Sequence, residues 1–316
     1  MKNHSGEVIF GKFQLFYTIM QNITENCITE VWPGPMEGVM KEPFIRSVTK
    51  LDLTSRWMTP FFRVTTHVPK EKKVAEFLKP FLETGLPVSG QIMGTHPERL
   101  AKTAEIMLKL GCFDVNFNCG CPSARVVSGG AGGGILKDTV LLSDILKALR
   151  DALPAGAFSV KTRIGFDRNM CEEITGLILE NGTPDRLFVH CRTTKELYCE
   201  VDNMQERFDQ VISATHDARK NGLSLILNGN ISSAQQAREL AAKAGKCGIM
   251  CARYWMRDPG LLRRIDGCYP LSPEQAAEEF FDTFKSFCTS KGALIEAGRM
   301  LWGNDSPKFR NILTSI

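Results

Sequence analysis

Short apolar segments alternate with segments of helical periodicity along most of this chain of 316 residues. Each of the eight apolar segments is about as long as a β-strand; they lie near 28–33 and at 56–62, 87–93, 112–117, 157–163, 186–190, 223–228 and 247–251. Strands that alternate with helices form parallel β-α-β units. Eight such units in about 240 residues predict a (β/α)8 TIM barrel, a fold of the α/β class.

Two of the intervening segments carry clear helix boundaries. Pro97 suits the first turn of a helix that runs to Leu110, and Gly111 suits its end. A second helix is predicted over 233–244, capped by Ser232 or Ser233 and closed by Gly245. An open doubly wound sheet is the alternative arrangement, but it calls for a glycine-rich turn after the first strand, which the sequence lacks.

The alternation predicts three parts: an N-terminal extension over residues 1–26, a barrel over 27–270 and a short helical tail over 271–316. No strand pattern follows Pro270. Residues 274–288 instead repeat apolar side chains at helical spacing, namely Ala277, Phe280, Phe281, Phe284 and Phe287. We expect this stripe to pack against the barrel.

The chain has eleven cysteines and a formal net charge of +4. The first twenty residues lack the apolar run and cleavage site of a secretory leader, and no segment has the length of a membrane helix. We therefore expect reduced thiols, a cytoplasmic location and no membrane association. Structural zinc is the other explanation for many cysteines, but no C-x-x-C pair is present, so no metal site is predicted. The small positive charge permits an anionic partner without requiring one.

Every predicted strand ends in polar residues, and in a TIM barrel these ends form the active site. The ends in chain order are Pro33–Gly38, Phe62–Arg63, Gln91, Asn118–Cys121, Lys161–Arg163, His190–Arg192, Asn228–Asn230 and Cys251–Arg253. Lys161 and His190 would offer donors and positive charge to a flat, electron-rich group. The amides of Gln91 and Asn118 suit the edge of a pyrimidine-like ring.

The last two strand ends predict a phosphate site. Asn228-Gly-Asn230 and Ala252-Arg253 follow strands seven and eight, where many barrels hold phosphate with backbone N–H groups. Gly229 would allow a close approach of the backbone. A planar ring at the mouth and a phosphate at strands seven and eight together describe flavin mononucleotide (FMN). Lys161 near that ring would stabilise the anionic reduced form.

Cys121 lies on a tight turn directly after the fourth strand, so its thiol can reach a substrate, whereas Cys119 is expected to point away as a small filler. The glycine run 129–134 is not a Walker loop, because Ile135-Leu136 stands where Lys-Ser or Lys-Thr is required. We expect a flexible loop there that leads into a helix near Asp138, or alternatively a mobile lid that carries Cys121.

These residues resemble the motifs of the tRNA-dihydrouridine synthases, in the form typical of the bacterial C subclass. The resemblance spans about 30–265 and rests on six motifs: Pro35-Met-Glu-Gly38, Gln91-Ile-Met-Gly94, Asn118-Cys-Gly-Cys-Pro122, Val160-Lys-Thr-Arg163, His190-Cys-Arg-Thr193 and Asn228-Gly-Asn230.

The resemblance implies an FMN enzyme that NADPH reduces and that passes a hydride from flavin N5 to C6 of a uracil in the tRNA D-loop. Cys121 would then protonate C5 as a general acid, after the uridine has left its stack. The implied catalytic residues are Cys121, Lys161 and His190. The implied flavin-binding residues are Pro35, Met36, Glu37, Gln91, Lys161, His190, Asn228, Gly229, Asn230, Ala252 and Arg253, and those for the substrate are Arg63, Asn118 and Arg163.

Two further functions are compatible with the sequence. The tail over 272–316 holds five Lys or Arg and six Asp or Glu, which is a weak footprint for a polyanion and favours a flavin barrel that reduces a free pyrimidine or similar ring. A non-catalytic flavin- or RNA-binding relative is favoured by Val127 and Tyr254, which depart from the family pattern. Tyr254 and Trp255 are expected to add bulk near the phosphate.

Overall fold

The computed structural model describes residues 27–197, 201–267 and 269–315, so the predicted N-terminal extension lies outside the described part. Strands and helices alternate through this part of the chain as the sequence predicts, and the (β/α)8 barrel is confirmed. The strands are β1 (Ile28–Pro33), β2 (Trp57–Met58), β3 (Phe62–Arg63), β4 (Val88–Met93), β5 (Asp114–Cys119), β6 (Phe158–Arg163), β7 (Arg186–His190), β8 (Ser224–Asn228) and β9 (Cys247–Cys251).

The barrel helices cover the outside of the strands, and three more helices form the tail. The barrel helices are α1 (Glu42–Lys50), α2 (Glu71–Leu82), α3 (Pro97–Lys109), α4 (Ala124–Val127), α5 (Thr139–Ala152), α6 (Cys171–Gly182), α7 (Met204–Ala214), α8 (His216–Lys220), α9 (Ala234–Ala244), α10 (Arg253–Arg257) and α11 (Leu261–Ile265). A 3-10 helix spans Gly132–Lys137. The tail helices are α12 (Pro273–Phe287), α13 (Lys291–Trp302) and α14 (Pro307–Ser315).

All strand pairs are parallel, in the order β1-β9-β8-β7-β6-β5-β4-β2, with β3 also paired to β4. The single strand predicted over 56–62 is interrupted and consists of two short strands, β2 and β3. Pro60 lies in the interruption and has no N–H for the ladder. The carboxyl ends of the strands therefore meet at one face of the barrel, as the prediction of the site requires.

The interior of the barrel is half polar. Asp114 accepts hydrogen bonds from Ser89 (2.5 Å) and Ser159 (2.7 Å), and Asn116 donates to Ser159 (2.8 Å) and accepts from Gln91 (2.8 Å). Burial raises the pKa of Asp114 to about 6, although both serine hydrogen bonds and Arg186 oppose the shift. The apolar half of the interior is a separate cluster of Trp32, Met58, Phe188, Ile226 and Met250.

The helix boundaries follow the expected capping chemistry. The Ser233 hydroxyl accepts a hydrogen bond from the Gln236 N–H at 3.1 Å, so Ser233 is the cap of α9. Gly245 ends that helix with a φ of 79°. The face of α3 that carries Leu100 and Ala104 is buried against the sheet, as its periodicity predicts.

The aromatic stripe of the tail packs against the barrel, as expected. Phe280 of α12 lies edge-on to Phe44 of α1, with ring centroids 5.5 Å apart, and stacks on Phe284 at 5.9 Å. Ser272 forms a capping box with Gln275 at the start of α12. At the other end of the stripe Phe287 is only partly buried, and the Arg46 guanidinium lies 4.3 Å from its ring centroid. No helix in the described ranges is long and apolar enough to cross a membrane.

Candidate active site

A cleft of about 680 Å³ opens at the carboxyl ends of the strands. This volume lies within the range of roughly 300–1,000 Å³ that cofactor and ligand sites occupy. Most of the predicted site residues line it: Pro35, Met36, Glu37, Gln91, Asn118, Cys121, Lys161, Arg163, His190, Asn228, Ala252 and Arg253. The structure thus brings together residues that are far apart in sequence: Pro35 and Arg253 are separated by 218 positions.

The Asn118 side chain caps the Cys121 turn. The Asn118 carboxamide oxygen accepts the N–H groups of Gly120 and Cys121, both at 3.0 Å. The Cys121 carbonyl in turn accepts the Gly133 N–H at 2.9 Å. Cys121 itself is partly exposed to the cleft. A partly exposed thiol on a rigid turn can deliver a proton to a bound substrate.

Cys119 is fully buried, as expected of a side chain on the outward face of β5. Its thiol donates to the Lys161 carbonyl at 3.5 Å, and burial raises its pKa to about 12. This thiol is therefore protonated and inert at neutral pH. The strand runs two residues beyond its predicted end at 117, which places Asn118 and Cys119 inside the ladder.

The side-chain amides of Gln91 and Asn118 are hydrogen-bonded to each other and to neighbouring side chains. Asn118 Nδ2 donates to Gln91 Oε1 at 2.8 Å, and Gln91 Nε2 donates to Asn116 and lies 3.3 Å from the Met58 sulfur. Gln91 is fully buried although it borders the cleft. These hydrogen bonds fix the two side chains at the floor of the cleft. The expected contacts of the two amides with the edge of a pyrimidine-like ring stay a prediction.

Lys161 and His190 lie on neighbouring strands and line the same cleft. Burial, followed by the charge of Arg163, lowers the pKa of Lys161 to about 8. Burial also holds the pKa of His190 well below its ordinary value, and the charges of Arg163, Lys161, Arg192 and Arg253 add to this effect. His190 therefore offers hydrogen bonds as a neutral ring, and the expectation that it supplies positive charge is corrected. Lys161 retains most of its charge at neutral pH.

The predicted phosphate end lies beyond β8 and β9. Gly229 has a φ of 148° and Asn230 a φ of 48°, so the chain turns sharply after Asn228. The Asn230 carboxamide oxygen accepts from Arg253 at 2.8 Å and from Arg192 at 3.1 Å. The arrangement holds the Arg253 guanidinium at the rim of the cleft. A backbone turn beside a fixed guanidinium is suited to an anion.

The two arginines predicted to contact substrate differ in placement. Arg163 is buried, and it donates from Nε to the Gly120 carbonyl (2.8 Å) and from Nη1 to the Thr193 carbonyl (2.6 Å). It thereby ties the Cys121 turn to the loop after β7. Arg63 is exposed at the end of β3, and it is outside the set of described residues that line the cleft. Contact of either arginine with substrate stays a prediction.

Two expectations about neighbouring segments are wrong. Gly132–Gly134 of the glycine run are buried in the 3-10 helix and lie against Cys121, so this half of the run forms no open loop. Trp255 is fully buried, donates to the Pro259 carbonyl at 2.9 Å and packs on Phe44, so its bulk points away from the phosphate end. Tyr254 is half-buried and outside the described lining of the cleft.

Sequence reasoning missed several residues that line the cleft, chiefly Phe61, Leu197 and Met250. These are apolar, and a search for polar strand ends passes over them. It also missed the inward polar face of β5, although Asp114, Asn116 and Asn118 alternate with apolar residues at the period of a strand. That alternation is the signal that could have revealed the face.

No group of metal-ligating side chains is present in the described part of the chain. Eight cysteines described there have free thiols: Cys112, Cys119, Cys121, Cys171, Cys191, Cys247, Cys251 and Cys288. Seven of these are buried. Cysteines in this chain therefore serve mainly as small core residues, with Cys121 as the one described thiol in the cleft.

The fold and the cleft define a TIM-barrel enzyme with Lys161, Arg253 and the Cys121 thiol at its mouth. Residues 33–297 match the model of the dihydrouridine synthase (Dus) family. A tRNA-dihydrouridine(16) synthase from Haemophilus ducreyi is 34% identical over 249 residues, which cover 75% of this chain and 73% of the relative. Its counterpart in Escherichia coli K12 is 32% identical, with 76% of each chain covered. The chain belongs to the dihydrouridine synthase family, and the resemblance predicted from the motifs is confirmed.

Solved structures of similar fold include a variant of NCR from Zymomonas mobilis and a morphinone reductase, each with a TM-score of 0.54. The first covers 82% of this chain and 94% of its own at 12% identity, and the second 79% and 88% at 10% identity. At such identity the likeness establishes the barrel fold alone. Family membership makes the chain a flavin-dependent oxidoreductase.

Proposed function

We propose that this protein reduces uridine to 5,6-dihydrouridine in the D-loop of tRNA, with FMN as cofactor and NADPH as reductant. The observation that carries the proposal is the position of Cys121, whose N–H is held by Asn118 at the mouth of a cleft that also contains Lys161 and His190. The similar proteins are named for position 16 of tRNA, so uridine 16 is the proposed target.

The described residues fit an FMN molecule. Lys161 and the neutral ring of His190 provide donors within the cleft. Asn228, Ala252 and Arg253 line the end proposed for the phosphate, and Asn230 holds the Arg253 guanidinium there. A buried lysine that keeps most of its charge would stabilise negative charge on a reduced ring more strongly than an exposed one. A reduced flavin held by these residues would supply the hydride that C6 of the uracil receives.

Cys121 supplies the matching proton. Addition of a hydride at C6 leaves C5 in need of one proton, and Cys121 Sγ donates it while the thiol becomes a thiolate. The positive charge of Lys161, which interacts with Cys121, would stabilise that thiolate. Asn118 fixes the turn so that no reorganisation is needed during transfer.

The cations around the mouth suit an RNA substrate. Exposed basic residues lie at the strand ends and in the segments that follow them: Arg63, Lys70, Arg125, Arg168 and Lys195. Two other arginines are instead paired within the fold: Arg263 donates to Asp52 at 2.8 Å, and Arg264 forms an ion pair with Asp258. We infer that phosphates of tRNA contact the loops rather than α11, and that the reduced cysteines reflect a cytoplasmic location.

The test combines two half-reactions in purified protein. We expect a yellow protein that releases FMN on denaturation, is reduced by NADPH and is reoxidised by unmodified tRNA with formation of dihydrouridine. Cys121→Ala should keep the flavin and its reduction but form no dihydrouridine, and Cys119→Ala is the matched control that should retain both steps. Reoxidation by free uridine but not by tRNA would instead support the free-pyrimidine function, and a protein without flavin would overturn both.

A further inference from the structure

Leu197 is an exposed leucine in an unfavourable backbone conformation at the rim of the cleft. It is 46% exposed and has a φ of 49°. The left-handed backbone conformation costs a leucine roughly 1–2 kcal/mol. Because the side chain is exposed, its burial does not offset this cost. Of the exposed large apolar residues in the described ranges, it is the one that lines the cleft. Strain of this kind persists where the surroundings enforce it.

One enforcing contact connects Leu197 to the Cys121 turn. Arg163 Nη1 donates to the Leu197 carbonyl at 3.4 Å, and Arg163 Nε donates to the Gly120 carbonyl at 2.8 Å. A single buried guanidinium thus sets the spacing between the loop that carries Leu197 and the turn that carries Cys121. Leu197 therefore belongs to the Cys121 end of the cleft, and the phosphate end beyond β8 and β9 is held by other residues.

A second enforcing contact is an ion pair with α7. The Glu196 carboxylate accepts two hydrogen bonds from the Arg207 guanidinium, at 2.7 and 2.8 Å, and a third from the Thr193 N–H at 2.7 Å. The hydrogen bonds from Arg207 are the main cause that lowers the pKa of Glu196 to about 2. The pair is therefore charged at any working pH. Bidentate pairs of this kind fix orientation as well as distance.

We propose that Leu197 is a substrate-positioning residue that forms an apolar wall against the base presented to Cys121, and that the Glu196–Arg207 pair holds the wall in place. The inference rests on the proposed function. A base that has left its stack loses apolar contact on its faces, and a site must replace that contact. The part of the floor formed by Gln91 and Asn118 is polar, so Leu197 provides an apolar surface that these two amides do not.

The first test is Leu197→Ala, measured in both half-reactions. We expect unchanged flavin content, an unchanged rate of reduction by NADPH and a loss of about 10-fold in kcat/KM for tRNA, the effect of a few missing methyl groups in a binding pocket. Val140→Ala is the matched control, because Val140 is an aliphatic residue that is 71% exposed outside the cleft. It should leave both half-reactions unchanged.

The second test addresses the ion pair. Arg207→Met should reduce kcat/KM for tRNA to a similar extent without slowing flavin reduction, and it should add little in the Leu197→Ala background. The charge-reversed pair Glu196→Arg with Arg207→Glu should recover part of the loss. Wild-type kcat/KM in Leu197→Ala, or an equal loss in flavin reduction, would overturn the proposal even while Cys121→Ala confirms the function. Absence of dihydrouridine in the wild-type reaction would overturn the function itself.

Discussion

Substitution of Gly133 by alanine should push the Cys121 turn out of position. A Cβ atom at residue 133 would lie 2.5 Å from Thr194 Cγ2, against the Thr194 hydroxyl, and 3.1 Å from the Cys121 carbonyl oxygen. Thr194 is buried and its N–H donates to the Gly165 carbonyl at 3.0 Å, so it has little freedom to retreat. The added methyl group therefore wedges apart the turn after β5 and the loop after β7.

The magnitude follows from the cost of overpacking. One extra methyl group in a filled core costs about 1–3 kcal/mol of unfolding free energy, which corresponds to a fall of about 2–5 °C in Tm for a chain of this size. The Gly133 N–H donates to the Cys121 carbonyl at 2.9 Å, so displacement passes directly to the thiol. A misplacement of about 1 Å costs about 10²-fold in rate, and we expect a loss of that order in dihydrouridine formation.

The assay compares three variants by denaturant unfolding and single-turnover dihydrouridine formation. Gly129→Ala is the matched control from the same glycine run, because its Cβ would meet a single atom, the Val126 carbonyl oxygen, at 3.6 Å. It should change stability by less than about 0.5 kcal/mol. Gly133→Ala combined with Thr194→Ala removes the clash and should recover activity. If Gly133→Ala behaves like Gly129→Ala, the packing argument is refuted.

Three further predictions concern other parts of the molecule. The kcat/KM for tRNA should fall as pH rises through about 8, because Lys161 loses its proton there, and Lys161→Met should be about 10²-fold slower with no decline near pH 8. Cys119→Ala should retain activity and lose about 1 kcal/mol in denaturant unfolding, and native Cys119 should resist thiol labelling because it is fully buried. Phe280→Ala should cost about 3–5 kcal/mol, since Phe280 is 4% exposed against Phe44; a change below 1 kcal/mol would exclude tight packing of α12.

The positions of the strand ends could be predicted because each apolar run of a parallel sheet stops where the chain meets solvent. Lys161, His190 and Asn228 therefore came out together at the mouth. The interruption near Pro60 was less visible, since Phe61 and Phe62 continue the apolar run in sequence while the proline breaks the ladder in space.

The contacts that fix the site could not be predicted in the same way. Arg163 bonds the carbonyls of Gly120 and Thr193, which are remote in sequence and carry no side-chain signal. The neutral state of His190 is likewise a product of burial among cations from other strands and loops. Sequence pattern identifies which residues reach the mouth, whereas hydrogen bonds between distant segments decide their charge and freedom.

The most direct test of the central claim is position-by-position mass spectrometry of dihydrouridine in tRNA from cells that lack the gene. We expect loss of dihydrouridine at one D-loop position, namely position 16, with restoration by the wild-type gene and no restoration by the Cys121→Ala variant. An unchanged dihydrouridine profile after deletion, or full restoration by Cys121→Ala, would contradict it.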